Sequence, residues 1–500
     1  MIQARYFLII ALAFFFTSNA HSQNHPFPQH TEYTEAHIKP SQYSQVELDN
    51  QVTAFYDKWK NKYLINGCES NHYYIFFDSG NTVTVSEAMG YGMMIIPLMA
   101  GYDENARTYF NGLYRYYKAH PSVINNNLMA WKQITGCVNS DGPDSAADGD
   151  IDIAFGLLLA HAQWGSWGSI NYYLEAEKII NAIMEDDVNS DYWSVKLGDW
   201  VSSGPRARST RSSDFIFDHF RIFECAVDNP NWNLVVDQCY SYIQNMQENY
   251  SPETGLIPDF IVDINTTPRP ADPDFLEGDH DGEYSYNACR DPWRIGNDFL
   301  ISGDERAHDI CLKINRWLLS DTDGDPNDVK SGYSLNGDYF ANWKDLSFMA
   351  PFTVGAMVDT ANQQWLNNLY AKTLSMSFSG GGYYGNSLKL LSMITISGNY
   401  WVPGCDNMNG IGKPNHEKEK LFDILPNIAK DRIQIVFKNE NTNADIQIIS
   451  LDGKIILNNQ DRSNIRQLDV SALKTGLYIV SAFDMNTQEQ LASEKLIIRK

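Results

Sequence analysis

Three aspartates, Asp148, Asp150 and Asp152, crowd the start of an apolar run in SAADGDIDIAFGLLLAHAQW, residues 145–164. Ile151, Ile153, Phe155, Leu157, Leu158 and Leu159 and their small neighbours leave no polar stripe at the helical period, which predicts a helix buried nearly all round. One aspartate would suffice to cap that helix and complement its positive end. Three at the mouth of a core helix point instead to a site built from carboxyl groups. Other chemistries leave no signature: the chain has no phosphate-binding loop and no Ser/His nucleophile motif, and no CxxC or Cys/His pair with metal-ligand spacing. The run Asp321-Thr322-Asp323-Gly324-Asp325 fails the EF-hand pattern and reads as a surface turn. Neither a metal nor a cofactor is expected.

The carboxylates need a scaffold, and the chain is long enough to supply one. It has 500 residues, 43% hydrophobic and 13% aromatic, enough for a large core and more than one domain. Lys+Arg number 38 against Asp+Glu 62, a net charge of -24, which excludes a nucleic-acid or anionic-membrane partner because phosphate binding needs clustered cations. The balance suits a neutral or cationic ligand. Arg5, the apolar run 6–16 and the small residues 17–20 read as a signal peptide over 1–20, so export is expected. No second apolar run is long enough to cross a bilayer. Seven cysteines leave at least one thiol unpaired, with one or two disulfides expected among the rest.

Residues 46–63, 85–99, 150–164, 170–185, 214–225, 232–249, 305–319, 351–360 and 386–396 read as helices separated by loops rich in Gly, Asn, Asp and Ser. So many largely apolar helices imply an all-α domain of helical hairpins over 21–410, for which packing in two layers around a closed ring is one solution. The long loops 125–144, 193–211 and 260–291 are dense in Trp, Tyr, Asp and Arg and read as walls of a cleft. The pattern changes after Gly410. Residues 411–420, IGKPNHEKEK, read as a linker, and 421–500 as a small β-sandwich of short alternating strands with an Asp-Gly turn at Asp452-Gly453. Its IISLDGK and LKTGLYIV segments resemble the C-terminal sorting domain of the type IX secretion system, which implies the secretion machinery as a partner and a secreted or cell-surface location. A carbohydrate-binding module is the competing reading, weakened by the lack of an aromatic platform.

AADGDIDIAFGLLLAHAQW resembles the signature of glycoside hydrolase family 8. VSEAMGYGM (85–93), RSSDFIFDHF (211–220) and YSYNACRDPWRI (284–295) fit the family in order, so the resemblance spans about residues 40–400. Ala147 stands where Ser or Thr is usual and Gly156 where Ser or Ala is usual, the second change reading as conservative. The resemblance implies an (α/α)6 barrel with an open substrate groove at one end. It also implies hydrolysis with inversion, which needs a protonated and an ionised carboxyl group about 6.5–9.5 Å apart.

By the match to VSE, Glu87 is the general acid, with Asp148 beside the bound sugar and its charge available to keep Glu87 protonated. Three residues before Arg290, where much of the family has an aspartate base, this chain has Asn287, a poor proton acceptor. There it resembles another subgroup, containing chitosanases and some glucanases, in which a glutamate on an inserted loop is the base. DPDFLEGDHDGE (272–283) is that loop and Glu277 the match, with Asp279, Asp281 and Glu283 as rivals. Arg290 is expected to hold the base or its water by a charge-assisted bond, with Asn287 helping to place that water. Asp214 is expected to contact sugar or anchor Arg211, and Tyr91, Trp131, Trp200, Trp293 and Tyr384 are candidates for stacking on sugar rings. The expected activity is a secreted, monomeric endo-β-1,4-glycan hydrolase. Chitosan is the leading substrate, from the subgroup and from an acidic groove that would attract protonated glucosamine. The alternatives are endoglucanase or lichenase activity on β-glucan, and more distantly a polysaccharide lyase or a non-catalytic glycan-binding protein.

Overall fold

The computed structural model describes residues 23–405 except Asp141, and 422–500 except 439–443, 451–453, 460, 462 and 485–489. The expected signal peptide, linker and Asp452-Gly453 turn lie outside the described residues. The chain divides into two compact units, Met1–Ile411 and Gly412–Lys500.

Among the described residues the first unit is built on twelve helices: α1 (Gln45–Tyr63), α2 (Ser86–Leu98), α3 (Ala106–Ala119), α4 (Ala147–Trp164), α5 (Tyr172–Ala182), α6 (Phe217–Val227), α7 (Asn231–Asn249), α8 (Asp291–Ser302), α9 (Glu305–Asp321), α10 (Leu346–Gly355), α11 (Gln363–Ser375) and α12 (Gly382–Ile396). The even-numbered helices form an inner ring in which α2 packs on α4, α4 on α6, α6 on α8, α8 on α10, α10 on α12, and α12 closes back on α2. Each odd-numbered helix backs an inner one: α3 on α2, α5 on α4, α7 on α6, α9 on α8, α11 on α10 and α1 on α12. This is an (α/α)6 barrel.

Composition explains which helix goes where. Every residue of α4 from Ala147 to Ala160 is buried, as its lack of a polar stripe predicts. The outer helices bury one face only; α1, for example, buries Leu48, Val52, Phe55, Tyr56, Trp59 and Tyr63, and its start is fixed by a capping box between Ser44 and Glu47. Three helices, α3, α8 and α11, are additional to those read from the sequence.

The inner helices cross closely where glycine allows it. A Cβ on Gly149 of α4 would lie 2.6 Å from the backbone carbon of Ser86 in α2, and one on Gly90 2.6 Å from Cβ of Asp152. Gly156 is not the conservative replacement expected, because a Cβ there would lie 2.7 Å from the Met93 carbonyl oxygen. The tight α2–α4 crossing sets Glu87 and Asp148 side by side.

The second unit is a β-sandwich. One sheet orders Phe422–Leu425, Arg432–Phe437 and Ile465–Asp469 antiparallel; the other orders Ile428–Ala429, Gln490–Ile498, Gly476–Asp484, Ala444–Ser450 and Ile455–Asn459. Alternate residues such as Ile433, Ile435 and Phe437 face Ile446, Ile448, Val480 and Leu496 in a core of its own.

Cys68 is bonded to Cys137 and Cys225 to Cys405, leaving Cys239, Cys289 and Cys311 as buried thiols. Among the described residues no helix is long and apolar enough to cross a membrane.

Candidate active site

The N-terminal ends of the inner helices gather at one end of the barrel. Glu87 lies in the first turn of α2, Asp148 in that of α4, Arg290 at the N-cap of α8, Asp345 at the N-cap of α10 and Tyr383 in the first turn of α12, while Ser213 and Asp214 sit just before α6. The positive helix ends favour anionic groups here.

Arg290 is the hub. Its Nη1 donates to Glu87 Oε2 and to Asp148 Oδ2, both at 2.8 Å, and lies 3.4 Å from the Tyr91 hydroxyl. Its Nη2 donates to Ser213 Oγ at 2.6 Å and to Asn287 Oδ1 at 3.0 Å. The far side of Asn287 faces the inserted loop: Nδ2 donates to Glu277 Oε2 at 2.9 Å. Two side chains, Arg290 and Asn287, therefore join Glu87 to Glu277.

The two carboxyl groups sit in different surroundings. The Glu87 side chain is 16% exposed and that of Glu277 47%. Burial raises the Glu87 carboxyl above its ordinary range; Arg290 pulls it down, the Asp148 charge pushes it up, and a hydrogen bond from Tyr383 opposes. Asp148 goes the other way. Burial disfavours its charge, yet Arg211 and Arg290 outweigh that and hold it well below the usual carboxylate range.

The loop that carries Glu277 is organised by its own residues. Asp281 is buried and accepts from the backbone N–H groups of Leu276, Glu277 and Gly278 at 2.6, 3.0 and 3.0 Å. Phe275 and Leu276 pack on a small satellite core of Leu197, Val201, Phe260, Val262 and Ala271. Of the rival acids, Asp281 is thus spent on the turn, Glu283 pairs with His280 at 2.6 Å, and Asp279 is exposed. The cation nearest Glu277 is Arg211, whose Nη1 lies 3.7 Å from Oε1.

Several expectations need correction. Tyr91 and Trp293 are fully buried, so neither offers a ring face to a sugar; they pack edge to face at 6.2 Å, with the Arg294 guanidinium 4.1 Å over the Trp293 ring. Asp214 is also wholly buried and accepts from Arg211 Nε at 2.9 and 3.1 Å, which makes it that arginine's anchor rather than a sugar contact. Burial pushes its carboxyl up to about 6 against the pull of Arg211. Arg290 reaches Glu277 only through Asn287. The three aspartates of the α4 mouth also part company: Asp152 forms a two-point ion pair with Arg294 at 2.8 and 2.6 Å, and Asp150 accepts from the Met129 N–H at 2.8 Å.

Trp131, Trp200 and Tyr384 keep part of their surface exposed. Trp131 is set beside the site because its carbonyl accepts the Ser86 N–H at 2.8 Å, at the end of the paired strands Thr82–Val85 and Lys132–Ile134. Tyr286 and Trp343, 39% and 56% exposed, add two rings that were not foreseen, joined by a Trp343 Nε1 to Tyr286 hydroxyl bond of 3.1 Å.

Three further residues escaped the sequence reading. Tyr383 donates to Glu87 Oε1, and Ser213 receives Arg290. Asp259 is buried beneath the segment that carries Asn287, and burial pushes its carboxyl up to about 7 against the pull of three backbone amides.

Residues 40–398 match the sequence profile of Glycosyl hydrolases family 8, and residues 423–499 that of the Secretion system C-terminal sorting domain. A Beta-glucanase of Niallia circulans is 48% identical over 396 residues, covering 79% of this chain and 95% of its own. An Endoglucanase of Bacillus sp. (strain KSM-330) is 38% identical over 76% of this chain and 82% of its own. The apo structure of a Beta-1,3-1,4-glucanase from Paenibacillus sp. X4 superposes with a TM-score of 0.74 at 49% identity, covering 76% of this chain and all of that one (100%).

Proposed function

Since the chain belongs to glycosyl hydrolase family 8 and is an endo-acting glycosidase, we propose that it cleaves β-glucan, with mixed-linkage β-1,3-1,4-glucan the preferred polymer. The observation that carries the mechanism is the Glu87–Arg290–Asn287–Glu277 chain of contacts, which ends in two carboxyl groups of unlike environment. Glu87, kept protonated by burial and by the Asp148 charge, gives its proton to the glycosidic oxygen as that bond breaks. Glu277, open to solvent, takes a proton from the water that attacks the opposite face of the sugar, which inverts the anomeric carbon. Asn287 holds Glu277 in place, and Asp148, fixed by Arg211 and Arg290, stays ionised beside the acid.

Relatives named for β-glucan favour that polymer over chitosan, the leading expectation from sequence. The physical argument for chitosan also weakens at the site. Arg211 and Arg290 are planted among the carboxylates there, so the overall charge of -24 does not translate into an unbalanced acidic groove. Trp131, Trp200 and Tyr384 are the rings we assign to sugar stacking.

The sorting domain marks the chain for secretion or the cell surface. Cleavage of a signal peptide over 1–20 completes the export route that we propose.

Reducing-sugar release from barley mixed-linkage β-glucan, carboxymethylcellulose, chitosan and xylan tests the substrate. Fastest release from the mixed-linkage glucan is expected; faster release from chitosan would overturn the assignment.

A further inference from the structure

Asn287 is a carboxamide between a cation and a carboxylate, and it is useful in one orientation only. With Oδ1 toward Arg290 and Nδ2 toward Glu277 both contacts are favourable; turned over, an amide N–H would face the guanidinium and an oxygen would face the carboxylate. Glu277 is half exposed and on a loop, a poor anchor for that choice. Asp259 lies 4% exposed on the inner side. Its Oδ1 accepts from the Ser285 N–H at 3.0 Å and the Ala288 N–H at 2.7 Å, and its Oδ2 from the Asn287 N–H at 3.2 Å and from Asn287 Nδ2 at 3.3 Å. One carboxylate thus gathers the backbone of the turn and the side chain of its third residue.

We propose that Asp259 is a positioning residue that fixes the orientation of the Asn287 carboxamide and, through it, the placement of Glu277. The inference rests on the reading of Glu277 as the base. Asp259 is buried, with hydrogen bonds to Ser285, Asn287 and Ala288, and acts through Asn287. In its ionised form, which three backbone amides favour against burial, it offers only acceptors to the Nδ2 end of Asn287, so the donor end of the amide faces it and Glu277 together. The backbone bonds from Ser285 and Ala288 fix Asp259 in turn.

A double-mutant cycle on the full chain separates positioning from bulk stability. Asp259→Asn keeps shape and can keep Oδ1 as the acceptor for Ser285 and Ala288, but it turns a donor toward Asn287 Nδ2. On barley mixed-linkage β-glucan, kcat should fall about 10²-fold, the scale of a misplaced reacting group, with KM changed less than about threefold. In an Asn287→Ala background the same Asp259→Asn change should leave kcat unaltered, because the amide it orients is gone. Equal losses in both backgrounds would overturn the proposal, as would a wild-type kcat in Asp259→Asn. Should Asp259→Asn fail to fold, Asn287→Ala alone decides: a kcat loss of the same order supports the relay, and wild-type kcat refutes it. Glu277→Gln with wild-type activity would instead refute the base assignment, so the two failures are distinguishable.

Discussion

Tyr383 donates its phenolic proton to Oε1 of Glu87 over 2.5 Å, while Arg290 donates to Oε2. Both oxygens of the proposed acid thus accept bonds that favour its charged form, set against burial and the Asp148 charge that favour the neutral one. A general acid works while protonated, so activity is lost as pH rises through its pKa. Tyr383→Phe removes one bond to the charged form and raises that pKa. The alkaline limb of the kcat profile should therefore move to higher pH; a limb that stays in place or moves down would show that Tyr383 does not bear on the acid.

Inversion is checked by the product itself. Proton NMR during the first minutes of β-glucan cleavage should show the α-anomer of the new reducing end ahead of mutarotation. First appearance of the β-anomer would mean a covalent intermediate and a nucleophile where the account places a base.

The α2–α4 crossing depends on a missing side chain. A Cβ on Gly149 would meet the backbone of Ser86, the residue before Glu87, and backbone cannot turn aside as a side chain can. Gly149→Ala should cost about 1–3 kcal/mol of stability in chemical denaturation, the usual scale of overpacking, and should lower kcat by shifting Glu87 from Asp148. Unchanged stability would show that the crossing has slack.

How far the sequence carried is clear from particular residues. The helix of α4 was legible because the residues after its opening aspartates leave no polar stripe, and Glu87 and Asp148 because four short motifs fell in family order. Burial within the site was not legible. Tyr91 and Trp293 have the ring chemistry of sugar platforms, yet they face each other and Arg294 inside the barrel, a fact of tertiary packing. Tyr383 meets Glu87 across 296 residues of chain and Asp259 meets Asn287 across 28, and no local pattern announces either contact. Helix α8 lies in a segment read as a motif, and its Pro292 sits in the first turn, where proline is tolerated. Helices α3 and α11 bury one face like the other outer helices, α3 through Phe110, Leu113, Tyr116 and Tyr117 and α11 through Trp365, Leu366, Leu369 and Tyr370, at a helical spacing that was there to be read.

Turnover of mixed-linkage β-glucan by Glu277→Gln tests the division of labour between the two carboxyl groups most directly. The substitution preserves shape and can still accept the Asn287 Nδ2 bond, but it cannot take a proton from water. The account predicts a fall in kcat of about 10²–10⁴-fold, with polymer binding and melting temperature retained. A Glu277→Gln enzyme turning over at the wild-type rate would contradict it.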